Sequence, residues 1–138
     1  MKVVVDANVV ISILMAKGSK HKLFFSNELE LLSPDIVLFE IGKYWKDISE
    51  RSRLSERELD IEFSTVREQI NVIPSGRLLE WIKKGAEVSP DPDDAEYFAL
   101  ALKFNCLIWS EDRLLAKQHV VEVLNTRDLL KKLGLISE

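Results

Sequence analysis

VSPDPDDAEYFALALKFNCLIWSEDRLL, residues Val88 to Leu115, decides how this chain is read. It has the form of a loop, a helix, a strand and a second loop. Pro90 and Pro92 interrupt the preceding pattern, and Asp91-Pro92 is an N-cap followed by a proline at the first helical position. Good helix formers run from there to Phe104. Cys106 to Trp109 (CLIW) is an apolar run of strand length, stopped by Ser110-Glu111-Asp112. On a helical wheel Asp94 falls between Tyr97, Phe98 and Ala101, opposite Glu96 and Lys103, so a carboxylate heads the apolar face. Asp112 comes directly after a buried-type strand, at the edge where open α/β sheets build their sites.

Working outward, Lys2 to Val5 is a β-branched strand ending in Asp6-Ala7-Asn8. Val9 to Ala16 reads as a helix that Gly18 is placed to end, and Ser19 to Asn27 as a second short helix before a strand at Leu29 to Leu32. Ser33-Pro34-Asp35 opens a long helix expected to reach Arg51, with Val37, Ile41, Tyr44 and Ile48 on its buried stripe. Glu40 sits at the edge of that stripe, between Phe39 and Ile41, where the simple reading is a carboxylate reaching out to water. Leu54 to Gln69 forms a charged amphipathic helix with a Ser55–Glu58 capping box. Asn71 to Ile73 is a minimal strand, and Arg77 to Gly85 a helix with Leu78, Leu79 and Ile82 apolar. Beyond the central unit come a short helix at Arg113 to Gln118, a strand at Val120 to Val123, and a last helix, Arg127 to Leu133, capped by Thr126 and closed by Gly134. About five short strands alternating with helices predict an α/β architecture: a mainly parallel sheet flanked by helices.

The 138 residues, 46% hydrophobic and 30% charged, fit one globular domain spanning 1–138. No apolar run is long enough to span a bilayer, and MKVVVD lacks a signal-peptide layout. The one cysteine, Cys106, excludes an intramolecular disulfide and most thiolate metal sites, and is expected in a core strand. These features predict a cytoplasmic protein. The net charge of −4 argues against tight non-specific binding of duplex DNA. Basic residues do gather locally, at Lys17, Lys20, His21 and Lys22 and at Lys43, Lys46, Arg51, Arg53 and Arg57. Each cluster also reads as an ordinary solvated helix face.

Four acids remain to be explained together. Asp6 lies just after the first strand, Glu40 on the third helix, Asp94 at the head of a helix, and Asp112 just after the fourth strand. Asp6 and Asp112 converge if those two strands are neighbours. Several carboxylates at one spot repel and raise one another's pKa unless a cation is present. A hard divalent ion such as Mg²⁺ or Mn²⁺ resolves the conflict, and the chemistry such a site favours is phosphodiester hydrolysis. Each acid also has an innocent reading. Asp6 caps the first helix, Asp91 to Asp94 form a capping arrangement, and Asp112 caps the turn after it. Neither His21 nor His119 has a partner at ligand spacing.

VVVDANVVIS (3–12), LFEIGKYW (38–45), DDAEYFALAL (93–102) and LIWSEDRLL (107–115), in this order and over this length, resemble the PIN-domain ribonucleases, which include the VapC-type toxins. The resemblance implies a three-layer Rossmann-like sheet of about five parallel strands and a Mg²⁺- or Mn²⁺-dependent endoribonuclease. It implies Asp6, Glu40, Asp94 and Asp112 as catalytic and metal-binding residues, with Asn8 and Ser110 in support. Ser110 stands where the toxins often carry threonine. The DA-x-x-x-A-x-A pattern selects Asp94 over Asp91 and Asp93. The resemblance also implies RNA as substrate, a homodimer and, for a toxin, an inhibitory antitoxin protein as partners, with no membrane.

Two other readings stay open. Some PIN-like domains are catalytically silent RNA-binding or assembly modules, although here all four acidic positions are filled. A haloacid dehalogenase-like phosphatase also places an Asp after its first strand but needs a second two residues later, where this chain has Asn8. A receiver domain would need a lysine after a late strand. GxxxxGK[ST], GxSxG and GxGxxG are all absent.

Overall fold

The computed structural model describes residues 1–137. Its five-stranded, all-parallel sheet comprises β1 (Lys2–Val5), β2 (Glu30–Pro34), β3 (Ile70–Ile73), β4 (Leu107–Trp109) and β5 (Val123–Leu124), in the order β3-β2-β1-β4-β5. The chain builds outward from β1 in one direction and then returns to start β4 on the other side. The boundary between β1 and β4 is therefore the topological switch point of the sheet.

Side chains alternate between the two faces, as the period of a strand requires. Val3, Val5, Leu31, Leu107 and Trp109 face one layer, formed by α1 (Ala7–Met15), α2 (Ser19–Phe24), α3 (Ile36–Lys43), α4 (Trp45–Ser52), α5 (Glu56–Gln69) and Leu129 of α8 (Thr126–Lys132). Val4, Leu32 and Ile108 face the other, formed by α6 (Leu79–Val88) and α7 (Ala95–Phe104). The sequence-derived three-layer α/β arrangement is the one observed. Among the described residues no helix is long and apolar enough to cross a membrane. Cys106 is half-buried, one residue before β4 rather than within it.

The capping box of α5 forms as expected, with the Glu58 amide donating to Ser55 Oγ at 3.1 Å and the Ser55 amide to Glu58 Oε1 at 2.9 Å. Other expectations need correction. The long helix after Asp35 is two helices, broken at Tyr44 (φ −103°, ψ 10°), whose amide turns back to the Ile41 carbonyl. Gly42 weakens the helix just before that break. Val37, Ile41 and Ile48 are buried as the periodicity requires, whereas Tyr44 is 50% exposed. Gly18 does not end α1 but precedes α2 as its N-cap.

The last strand begins later than Val120. Gln118 Oε1 accepts from the amides of Val120 and Val121, and its Nε2 donates to the carbonyls of Leu115 and Val121, which commits that segment to a loop. Asn125, not Thr126, caps α8 by accepting from the Asp128 amide. Leu79 starts α6 with its side chain 74% exposed. The segments at Ser75–Leu78, Pro92–Asp94 and Arg113–Ala116 are single 3-10 turns.

The two helices of the second layer touch backbone to backbone. A Cβ placed on Gly85 of α6 would stand 2.5 Å from the Ala95 carbonyl oxygen and 2.7 Å from the Ala99 nitrogen. Ala95 is the first residue of α7, so this contact sets the depth of the helix start that carries Asp94. Gly85→Ala should gain about 1 kcal/mol of helix propensity but lose more by overpacking against backbone that cannot yield. The expected net effect is a loss of about 1–3 kcal/mol in urea unfolding, and unchanged or higher stability would show that α6 and α7 are free to separate.

Candidate active site

Parallel pairing places Val5 opposite Trp109, so the next residues along each strand, Asp6 and Ser110, lie side by side at the C-terminal end of the sheet. The Asp6 amide donates to the Trp109 carbonyl at 3.0 Å, which prolongs the ladder by one bond. Ser110, 2% exposed, is the hub of the polar contacts at this edge. Its hydroxyl donates to Asp6 Oδ2 at 2.6 Å and accepts from Asn8 Nδ2 at 3.2 Å and from the Asp112 amide at 3.0 Å. One donor and two acceptor sites are all a hydroxyl has, so Ser110 is saturated and its proton is committed to Asp6. Asn8 Oδ1 accepts from the Glu111 amide at 3.3 Å, a second tie between the two strand ends.

Glu40 comes from the opposite side of the cleft. Its Oε1 accepts a 2.9 Å hydrogen bond from the hydroxyl of Tyr97, which is fully buried on α7. Burial, then the charges of Glu40 and Asp6, push the Tyr97 phenol up, so at neutral pH it keeps its proton and donates. Glu40 is thus held inside an apolar helix by a partner rather than left to reach for water.

The helix-cap readings divide. Asp91 caps its turn by accepting from the Asp93 amide at 3.0 Å, and Asp112 does the same for the Leu114 amide at 3.0 Å. Asp6 and Asp94 occupy the N-cap positions of α1 and α7, yet neither side chain makes a capping hydrogen bond. Capping therefore accounts for Asp91 and for part of what Asp112 does, and for neither Asp6 nor Asp94.

Asp6, Glu40, Asp94 and Asp112 line one cleft with Ala7, Asn8, Ile11 and Tyr44. Burial raises the Asp6 carboxyl above its ordinary value, against the pull of the Ser110 bond and the Ala7 amide, and the charge of Asp112 adds to the rise. Glu40 is raised by burial and by Asp6, while the Tyr97 bond and Lys43 oppose. Asp94 is pushed up to about 7, first by burial and then by the charges of Asp6, Asp91, Glu40 and Asp112. The His21–Glu62 hydrogen bond and the Lys132–Glu122 ion pair involve none of the four.

The donor set is all carboxylate oxygen, which suits a hard divalent cation and no soft one. Among the described residues no three such side chains already stand as a closed ligand group. Like charges favour that open arrangement, and a divalent ion would reverse the repulsion that lifts Asp94. The chemistry of the donors fits such an ion.

Tyr97 and Tyr44 are the members of this site that sequence reasoning missed. The signal for Tyr97 is its hydroxyl: a tyrosine on an apolar helix face, beside Phe98, needs a polar partner. Tyr44 gave none, because an unbroken helix would have buried it.

A family model described as PIN domain matches residues 4–134. The chain is also similar to the solved structure described as PAE2754 from Pyrobaculum aerophilum, at 15% sequence identity and a TM-score of 0.65, over 99% of this chain and 91% of that one. At that identity the likeness speaks for the fold. No curated protein matches the chain.

A carboxyl raised from 3.8 to about 7 binds its proton more tightly in the folded state, so the stability it confers falls as pH rises through that window. Asp94→Asn removes the effect. In chelator, the variant should match the parent near pH 4 and exceed it increasingly up to pH 7. The gain above that should be about 1–2 kcal/mol, after discounting for solvent screening at this half-exposed position. Thermal unfolding across the pH range measures it, and a variant less stable than the parent at pH 8 would mean that Asp94 is a structural residue.

Proposed function

Because the chain belongs to the PIN-domain family, we propose that it is a metal-dependent endoribonuclease acting at the cleft formed by Asp6, Glu40, Asp94 and Asp112. The observation that carries this reading is the convergence of four carboxylates, from two strand ends and two helices, with no side-chain cation in an ion pair with any of them among the described residues. A fold maintains that repulsion only where something offsets it, and the same four oxygen donors are those that hold Mg²⁺ or Mn²⁺. When bound, such an ion supplies an acidified water and offsets charge on the phosphoryl oxygens.

The chain's own contribution is orientation. Ser110 fixes one oxygen of Asp6 by its 2.6 Å bond, which would orient the carboxylate for metal binding. Tyr97 fixes Oε1 of Glu40 in the same way and leaves Oε2 for the metal side. Asp112 spends Oδ1 on the Leu114 amide and has its second oxygen for the cleft. Asp94, whose carboxyl is pushed up to about 7, is the acid that must lose its proton for the ligand set to be complete. Metal affinity should therefore rise with pH through neutrality. RNA is the proposed partner at the cleft. A cytoplasmic homodimer, and an inhibitory antitoxin if the protein is a VapC-type toxin, complete the reading.

The alternative is a catalytically silent RNA-binding or assembly module. The open spacing of the carboxylates favours it, since no group of three stands ready among the described residues.

Isothermal titration of Mn²⁺ into the parent and its Asp6→Asn variant, with cleavage of a structured RNA measured alongside, separates the two. Metal-dependent cleavage by the parent, reduced roughly 100-fold or more in a variant that still folds, is the expected outcome. A folded parent that neither binds Mn²⁺ nor cleaves RNA would establish the silent module instead.

A further inference from the structure

Tyr44, and Phe39 and Lys43 on the helix that ends at it, have no part in the metal chemistry of the cleft. Phe39 in α3 is 65% exposed and Tyr44 at its C-cap 50%, whereas Val37 and Ile41 of the same helix are packed in the core. Single exposed apolar side chains are ordinary; what distinguishes Tyr44 is its place. Tyr44 lines the acidic cleft itself, one turn beyond Glu40. The break between α3 and α4 falls on this residue, which turns its ring away from the buried stripe that an unbroken helix would have given it. On the neighbouring ridge the Lys43 ammonium stands 5.0 Å from the centre of the Phe39 ring, and its charge is felt by Glu40.

A polyanion approaching this cleft meets four carboxylates on a protein of net charge −4. Long-range electrostatics alone will not hold it there. Stacking of a base on an aromatic ring is indifferent to that charge, and it is available only where the face of the base is not already covered in a duplex. Lys43, next to Tyr44 in the chain, would supply one local phosphate contact.

We propose that Tyr44, with the neighbouring Lys43, is a stacking platform for an unpaired base next to the phosphodiester held in the cleft. Tyr44 would then be a positioning residue that selects for bases free of their partners. The inference rests on the nuclease reading, because it is the scissile phosphate that the platform flanks.

Binding and cleavage are measured separately. In chelator, fluorescence anisotropy tracks a labelled oligouridylate of about a dozen nucleotides, single-stranded or annealed to its complement. Tyr44→Ala should weaken single-strand binding roughly ten-fold, Tyr44→Phe should bind like the parent, and the duplex should bind no better than the alanine variant. In the cleavage assay the alanine variant should raise KM with little change in kcat, and calorimetric Mn²⁺ affinity should be the same in all three proteins. Equal binding by parent and Tyr44→Ala, a Tyr44→Phe variant as weak as alanine, or a duplex bound as tightly as the single strand would each overturn the platform. Its failure is distinct from that of the nuclease reading. Cleavage with Tyr44-independent binding removes the platform alone. Tyr44-dependent binding by a protein that holds no Mn²⁺ and cleaves nothing retains the platform and removes the nuclease.

Discussion

The pairing of Val5 with Trp109 is the constraint on which the rest of the site depends. A parallel ladder brings two strand ends to the same height, and the next residue on each strand then has the other as a neighbour, whatever their separation along the chain. Here that puts Ser110 beside Asp6, 104 positions away, at 2.6 Å. The other side-chain ties between the ends of β1 and β4 pass through that serine or through Asn8, including the amides of Glu111 and Asp112. The loop after β4 is therefore shaped by the end of β1. A slip of one residue in register would turn Val4 and Ile108 to the wrong layer as well as dissolving the site.

The acids gathered there work against folding. Burial and mutual repulsion raise Asp6, Glu40 and Asp94 above ordinary carboxylates. Three devices limit that cost. Ser110 and Tyr97 each donate to one carboxylate, and Asp112 stands exposed with one oxygen on a backbone amide. Asp94 has none of these, and it is the one driven to about 7. The residual strain sits in a cleft between two packed layers of valine, leucine and aromatic side chains, which supply the stability the cleft gives up.

Elements governed by their own residues were legible from the chain alone. The Ser55–Glu58 box and the strand at Lys2–Val5 are set by local chemistry and appear as read, whereas Asp91-Pro92 caps a 3-10 turn ahead of α7 rather than α7 itself, and the strand read from Cys106 starts at Leu107. Non-local matters were not. That β1 and β4 are neighbours was legible only as a condition, since parallel pairing leaves no local mark. Val120 is β-branched and reads as strand, yet the Gln118 side chain captures the amides that a ladder would have used. Tyr44 falls on the buried stripe only if the helix continues through Tyr44 itself, and it breaks there. The four acids were legible as a set because capping could not explain all of them. Their partners were not, because a tyrosine hydroxyl on an apolar face does not say which carboxylate it will meet.

Glu40 shows how far from the cleft its geometry is decided. Its carboxylate is held by Tyr97, and Tyr97 lies three residues after Asp94 on the same side of α7. One helix therefore delivers an acid and also holds a second acid that belongs to α3. The position of both depends on how deeply α7 sits on the sheet, and that is set where Ala95 and Ala99 meet Gly85 of α6 without room for a methyl group. A glycine on a helix that contributes nothing to the cleft thus fixes the separation of two of its carboxylates. Since like charges at short range change their interaction steeply with distance, the packing of α6 on α7 governs the electrostatics of the site as directly as any residue that lines it.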